Sequence, residues 1–201
     1  MSTLNVRKDY FMSLRVISGA QTGADVAGLW AAKHFGIPTG GLAPHGFRTV
    51  NGNHPEMAET FGIKEHWSSG YRERTIENLK SSNITLVLSE DMNSAGTKLT
   101  LNQCKKFEIT HFPLKFDPSD MEGCLNNFDA NWVISGTKSR YERHKFLTDH
   151  SYIINIAGNA TNNSPRIFEF TYKFCHRLFT ELGFTSSVPV EDCKKYKDTW
   201  K

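Results

Sequence analysis

Leu14-Arg15-Val16-Ile17-Ser18-Gly19-Ala20-Gln21-Thr22-Gly23-Ala24-Asp25 is the stretch that decides how this chain reads. Leu14 to Ser18 is a short, mostly apolar run, the pattern of a buried strand. It breaks into a small polar turn holding Gly19 and Gly23. From Ala24 to Ala32 the pattern becomes helical, with Val26, Leu29, Trp30, Ala32 and Phe35 supplying the apolar side. A strand that feeds a glycine turn and then a helix gathers unpaired backbone N–H groups and the positive end of the helix dipole in one place. Anions bind there, so Gly19, Ala20, Gln21, Thr22 and Gly23 are expected to cradle the phosphate of a ligand. The turn lacks G-x-G-x-x-G, and no G-x-x-x-x-G-K-[ST] follows. A tight strand-to-helix turn also needs glycine for its geometry alone, and these residues in isolation leave that reading open.

The pattern repeats downstream. Gly36-Ile37-Pro38 ends the first helix, and Thr39 to Leu42 reads as a second strand. Pro44 to Gly70 carries few regular signals and is expected as a long ordered loop near the ligand, pinned by Phe47, Phe61, Ile63 and Trp67. Tyr71 to Ser82 reads as a helix capped by Ser68 or Ser69. Ile84 to Leu88 is a buried strand rich in β-branched residues. Ser89 to Gly96 is a polar loop, and Gly96-Thr97 opens a helix through Phe107. Phe112 to Phe116 is a strand, Asp117 to Asp120 a turn and cap, and a short helix runs to Asn127. Between Phe128 and His150 the pattern weakens, with Trp132-Val133-Ile134 as a strand candidate and Lys138 to Lys145 as a charged surface excursion. Tyr152 to Ile156 is the last buried strand, and Ser164-Pro165 caps a helix to Leu182.

Strands alternating with helices imply an α/β fold: a single Rossmann-like, doubly wound domain with a mostly parallel sheet and helices on both faces. Ligands bind beyond the carboxyl ends of the strands in such sheets. That rule gathers Gly19–Asp25, Glu90–Thr97 and Gly158–Ser164 at one edge, and three coincident loops argue better than one glycine turn. Residues 1–13 read as a tail, 14–183 as the domain with 128–148 as an insertion, and 184–201 as an extension over the surface.

The 201 residues carry 38% hydrophobic and 22% charged side chains and a net charge of +3, which fits one soluble domain and gives no footprint for nucleic acid. No apolar run is long enough to span a membrane, and Met1 to Tyr10 lacks the apolar stretch of a secretion signal. Cys104, Cys124, Cys175 and Cys193 form no C-x-x-C pair, so neither a zinc site nor a disulfide framework is expected, and the chain reads as cytoplasmic. The eight histidines form no H-x-x-x-H pair on a helix, and no metal site is expected.

With these loops assembled, the chain resembles the molybdenum-carrier proteins, a family within the lysine-decarboxylase-like/lonely-guy Rossmann superfamily (SLOG). Ile17-Ser18-Gly19-Ala20-Gln21-Thr22-Gly23-Ala24-Asp25 is similar to that family's I-S-G-G-Q-T-G-x-D, with Ala20 at the second glycine. Gly36 to Gly41 and Pro44-His45-Gly46 follow. Tyr71, Arg74, Thr75, Asn78 and Ser82 match its Y-x-x-R-T-x-x-N-x-x-x-S. Gly96-Thr97-Lys98-Leu99-Thr100 resembles its G-T-x-L-T, and Asn155 to Gly158 its N-x-A-G. The resemblance spans residues 14–182. It implies ligand contacts from Arg74, Asn78, Gly96, Thr97, Thr100, Gly158 and Asn159, and a homodimer or larger assembly with the helices at 71–82 and 96–107 as interface candidates.

Three functions follow, and the sequence leaves them open. The first is binding of a phosphate-bearing nucleotide or nucleotide-derived ligand, as a sensor or sequestering protein. The second is a nucleotide or N-glycosyl hydrolase using Asp25 with Glu90 or Asp91. The related lonely-guy enzymes place a glutamate three residues after the threonine of G-G-x-G-T-x-x-E, where a carboxylate balances oxocarbenium character. This chain has Thr100 there, which counts against that chemistry. The third, implied by the family label, is carriage of molybdenum cofactor or an oxoanion. Asp25 at a helix start is expected to stay ionised, and the alternative reading is an ordinary stabilising helix-start residue with no functional role. Arg74 suits bidentate contact with a phosphate or is a plain helix-surface cation.

Overall fold

The computed structural model describes residues 14–148 and 150–200. The expected tail at 1–13 lies outside the described residues, as does Lys201. In chain order the elements are β1 (Leu14–Ser18), α1 (Ala24–His34), β2 (Thr39–Ala43), β3 (Arg48–Thr49), β4 (Gly52–Asn53), α2 (Glu56–Phe61), β5 (Ile63–Glu65), α3 (Tyr71–Lys80), β6 (Ile84–Ser89), α4 (Ala95–Lys106), β7 (His111–Lys115), α5 (Met121–Asn126), α6 (Phe128–Leu147), β8 (Tyr152–Gly158) and α7 (Ile167–Glu181). Short 3₁₀ turns lie at His45–Phe47 and Val190–Tyr196.

Six strands form one parallel sheet in the order β5-β2-β1-β8-β6-β7. The chain winds from β1 outward to β2 and β5, crosses to β6 and β7, and returns as β8 between β1 and β6. β6 is buried along its whole length, as an interior strand covered on both faces must be. Helices α1 and α7 pack together against one face, joined by α5 and α6 near β7. Helices α3 and α4 pack together on the other face. This is the expected single α/β Rossmann-like domain. The strand order reverses direction around β1, β8 and β6, so their C-terminal ends frame a crevice.

Local chemistry explains most boundaries. Gly62 ends α2 in the left-handed conformation. Asp120 accepts a hydrogen bond from the Gly123 N–H (3.0 Å) and Asn127 from the Ala130 N–H (2.9 Å), capping α5 and α6. Gly28 lets α1 lie directly on β8, since a Cβ there would meet the Ile156 side chain at 2.8 Å.

Four expectations are corrected. Residues 128–147 form one helix, with no strand at Trp132-Val133-Ile134. Its exposed Phe128, Trp132 and Phe146 surround a buried stripe of Ala130, Val133, Ile134, Thr137 and Tyr141, so apolar residues on every side blur the helical period. The segment from Pro44 to Gly70 is not a plain loop: it holds the β3–β4 hairpin, α2 and the edge strand β5. Phe61 and Ile63 pin it as expected, but Trp67 is 80% exposed. The residue before α3 is Gly70, with no side-chain cap. Ser68 instead accepts from the Gly70 N–H (3.1 Å) and orders the approach to the helix. Finally, the extension beyond residue 184 does not only skim the surface. Cys193 and Trp200 join the core, with Trp200 edge-on to Phe61 and over His54.

Candidate functional site

The three loops meet as the alternation required. They line a cleft of about 310 Å³ at the C-terminal ends of β1, β6 and β8, with one wall supplied by α3. Of the residues singled out in the sequence, Gly19, Gln21, Asp25, Arg74, Asn78, Gly96, Thr97, Thr100, Gly158 and Asn159 reach this cleft. Ala20, Thr22 and Gly23 do not. Ala20 is fully buried at φ 51°, and Gly23 (φ 86°) backs onto the Asn159 carbonyl, which a Cβ would approach to 2.4 Å. The Thr22 hydroxyl accepts from the Thr161 N–H (3.3 Å). These three residues shape the turn and tie it to the β8–α7 loop.

The turn after β1 fills its own anion-binding positions. The Ala20 N–H donates to Ser18 Oγ (3.0 Å), the Gln21 N–H to Asp25 Oδ2 (3.3 Å), the Thr22 N–H to Gln21 Oε1 (3.0 Å) and the Ala24 N–H to the Asn159 carbonyl (3.1 Å). The Asp25 carboxylate is thus itself an acceptor for N–H groups of the turn. Opposite it, Arg74 of α3 brings Nη1 to 3.5 Å from Asp25 Oδ2. The guanidinium lies close against the backbone at Gly19, where a Cβ would fall 1.5 Å from Nη1, so only glycine admits this approach. Asp25 is 5% and Arg74 9% exposed. Burial pushes the Asp25 carboxyl up from its ordinary value, against the downward pull of Arg74 and of the Gln21 and Gly19 N–H groups. The expectation that Asp25 is ionised rests on the helix dipole and includes neither this burial nor the Arg74 contact that opposes it.

Asn159 ties the other loops together. Its Oδ1 accepts from Ser89 Oγ (2.8 Å) and from the Glu90 and Asp91 N–H groups (2.8 and 3.3 Å). Its Nδ2 donates to Ser94 Oγ (3.1 Å) and Thr97 Oγ1 (3.4 Å). Gly158 permits this crossing, since a Cβ there would lie 1.9 Å from the Leu88 carbonyl oxygen. Asn78 is similarly engaged: its amide bonds the Leu42 N–H and carbonyl (2.9 and 3.0 Å), splinting β2 to α3. Thr100 donates to the Gly96 carbonyl within the helix (3.1 Å). Glu90 and Asp91 lie outside the cleft lining. Glu90 accepts from Ser164 Oγ, and Asp91 from the Asn93 N–H (2.8 Å).

The open position is the start of α4. Ser94 precedes it without capping it through its side chain, and among the described residues no atom beyond the chain neighbours and the helix's own backbone lies within 4 Å of the position a Gly96 Cβ would take. Its first N–H groups border the cleft beside Thr97, whose hydroxyl is held by Ser89 and Ser94 (3.1 and 2.9 Å). Sequence reasoning missed Val50 at the tip of the β3–β4 hairpin, tied to the turn by its N–H to Gln21 Oε1 (3.0 Å), and Asn163. No local pattern marks either. It also missed that Tyr71 carries two cations over its ring, Arg48 at 5.0 Å and Arg74 at 5.8 Å. Among the described residues no cysteine or histidine lines the cleft, and no group of three or more His, Cys, Asp or Glu is placed to hold a metal ion.

Comparison with known proteins bears on this arrangement. The circularly permutated YpsA SLOG family matches residues 16–179, which takes in every loop of the cleft. The crystal structure of a "putative molybdenum carrier protein" from Syntrophus aciditrophicus SB superposes with a TM-score of 0.67 at 29% identity, over 85% of this chain and 95% of that one. No curated protein matches.

Proposed function

The chain belongs to the circularly permutated YpsA SLOG family, and from that premise we propose that it binds a phosphate-bearing nucleotide or nucleotide-derived ligand in the cleft, as a sensor or sequestering protein. The observation that carries this reading is the start of α4, which has no side-chain cap and borders the cleft at Gly96, where among the described residues no atom beyond the chain neighbours and the helix's own backbone comes within 4 Å of a Cβ position. Unpaired N–H groups at a helix start attract phosphate oxygens. The self-filled turn after β1 cannot serve as well, so Gly96 and Thr97 take the phosphate and the Tyr71–Arg74 wall takes the remainder of the ligand. Hydrolysis by Asp25 ranks lower: the carboxylate is buried, held by Arg74 and a backbone N–H, and flanked by no second carboxylate in the lining.

An oxoanion such as molybdate is the second reading, favoured by the same helix start and by the name of the Syntrophus protein. The donor set fits an oxoanion held by hydrogen bonds as cargo and not a metal centre with protein ligands. Free cysteines throughout the described residues suit the cytoplasm, and α3 with α4 remains the proposed surface for a homodimer. In the same reading residues 14–183 are the ligand-binding unit, with α6 as its insertion.

Gly96→Glu tests the assignment. The added side chain enters open space, so the fold should persist, while its charge occupies the phosphate position. Calorimetric titration with a nucleotide panel and with molybdate should show binding that Gly96→Glu weakens at least about tenfold, the scale of one lost charge-assisted contact. Unchanged affinity in the variant refutes the α4 site. Ligand recovered cleaved after incubation would replace binding by catalysis.

A further inference from the structure

A second cavity lies at the opposite edge of the sheet, where β6 and β8 begin. It measures about 540 Å³ and is roofed by one face of α6. Trp132, Gly136, Arg140 and Arg143 recur at i, i+4, i+8 and i+11 on that face, while Val133, Thr137 and Tyr141 face the core. Gly136 brings the helix close to β7: a Cβ there would meet the Phe112 ring at 3.1 Å. Phe112 and Trp132 meet edge to face at 5.1 Å and 82°, leaving Trp132 53% exposed. The Arg140 guanidinium stands 5.9 Å from the Phe112 ring centre.

The cavity joins three features that together specify a ligand. The exposed indole offers a flat apolar platform. Arg140 and Arg143, one helical turn apart on the same face, can converge on one anionic group. Tyr152 lines the floor at 3% exposure with a buried hydroxyl that has no hydrogen-bond partner among the described residues. Buried polar groups are otherwise almost always paired. Among the described residues no carboxylate lines the cavity, so its two cations meet no opposing charge in the lining. Burial pushes the Tyr152 hydroxyl up to about 12, which keeps it protonated and able to donate.

We propose that this cavity binds a small aromatic anion, its ring on Trp132 and its phosphate or carboxylate between Arg140 and Arg143. The site is separate from the cleft and does not depend on the function proposed for it.

The test follows the Trp132 indole N–H in ¹H–¹⁵N spectra of the full chain, assigned with Trp132→Phe. Phenyl phosphate and benzoate are the probes, with inorganic phosphate and phenol as their separate halves. At least one aromatic anion should shift the Trp132 signal saturably and bind tighter than either of its halves, and the tighter of the two probes tells phosphate from carboxylate. Arg140→Ala and Arg143→Ala are surface changes whose remaining spectrum reports an intact fold. Each should weaken binding about tenfold, and Tyr152→Phe should weaken it less. The proposal is overturned if neither probe saturates, if inorganic phosphate binds as well as phenyl phosphate, or if both arginine variants bind as the parent does. Gly96→Glu should leave this binding unchanged, so failure here and failure at the cleft are told apart.

Discussion

Removing Arg74 should destabilise the protein in a way that acid repairs, whereas removing its partner Asp25 should not. Both groups are buried, with Arg74 Nη1 3.5 Å from Asp25 Oδ2. Breaking a buried ion pair from one side leaves an uncompensated charge and costs about 3–5 kcal/mol. For a domain of this size each kcal/mol moves the melting temperature by about 2–4 °C, so Arg74→Met should lose about 6–20 °C at neutral pH. The two halves differ in what they can do next. Asp25 already has its pKa raised by burial, and losing Arg74 raises it further. A carboxyl whose folded pKa is raised adds stability that is fully present below the unfolded value and is lost as pH rises through the folded value. The deficit of Arg74→Met should therefore shrink as pH falls from neutral toward about 4. In Asp25→Asn the guanidinium stays charged throughout, so no such recovery follows. Denaturant melts of both single variants and the double variant, across that pH range, form a complete cycle. The double variant should be less damaged than the sum of the singles by more than about 1 kcal/mol. Additivity, or parallel pH profiles for the two singles, would refute the account of the pair.

Two further outcomes follow from packing and burial. Trp200→Ala should cost about 3 kcal/mol or more in a denaturant melt, because the indole is 3% exposed between His54 and Phe61; a loss within about 0.5 kcal/mol, as at an ordinary surface position, would contradict its place in the core. Burial and nearby Lys33 lower the pKa of His34, whose Nδ1 lies 2.6 Å from the Tyr172 hydroxyl. A lowered histidine contributes stability above its unfolded value of about 6.5 that is lost as pH falls through the folded value. Its ring proton shifts in NMR should titrate below that unfolded value, and a midpoint at or above it would overturn the assignment.

The sheet was legible because interior parallel strands write themselves as short apolar runs. Leu14 to Ser18, Ile84 to Leu88 and Tyr152 to Ile156 each stand out, and together they fix the crevice. Helix α6 was not legible, since Phe128, Trp132 and Phe146 put large apolar groups on its exposed side. Strand β5 is three residues long, too short to show alternation. Trp200 joins the core through contacts with residues about 140 and more positions away, which no local pattern records.

The cleft shows a subtler limit of sequence reading. A glycine turn before a helix announces an anion site, but it does not say whose anion. Here Asp25 and the Gln21 amide supply oxygen acceptors to the N–H groups of residues 21 and 22, and the Asn159 carbonyl takes that of Ala24. Arg74 then neutralises the carboxylate and seals it. The N–H groups of residues 20, 21, 22 and 24 thus already have acceptors within the protein, and the turn forms one wall of the cleft that the start of α4 also lines. Asn159 makes the two walls one unit, since a single side chain bonds Ser89, the Glu90 and Asp91 backbone, Ser94 and Thr97. A change at Asn159 should therefore disturb the α4 start through these bonds, whereas Gly96→Glu should act on the proposed ligand directly.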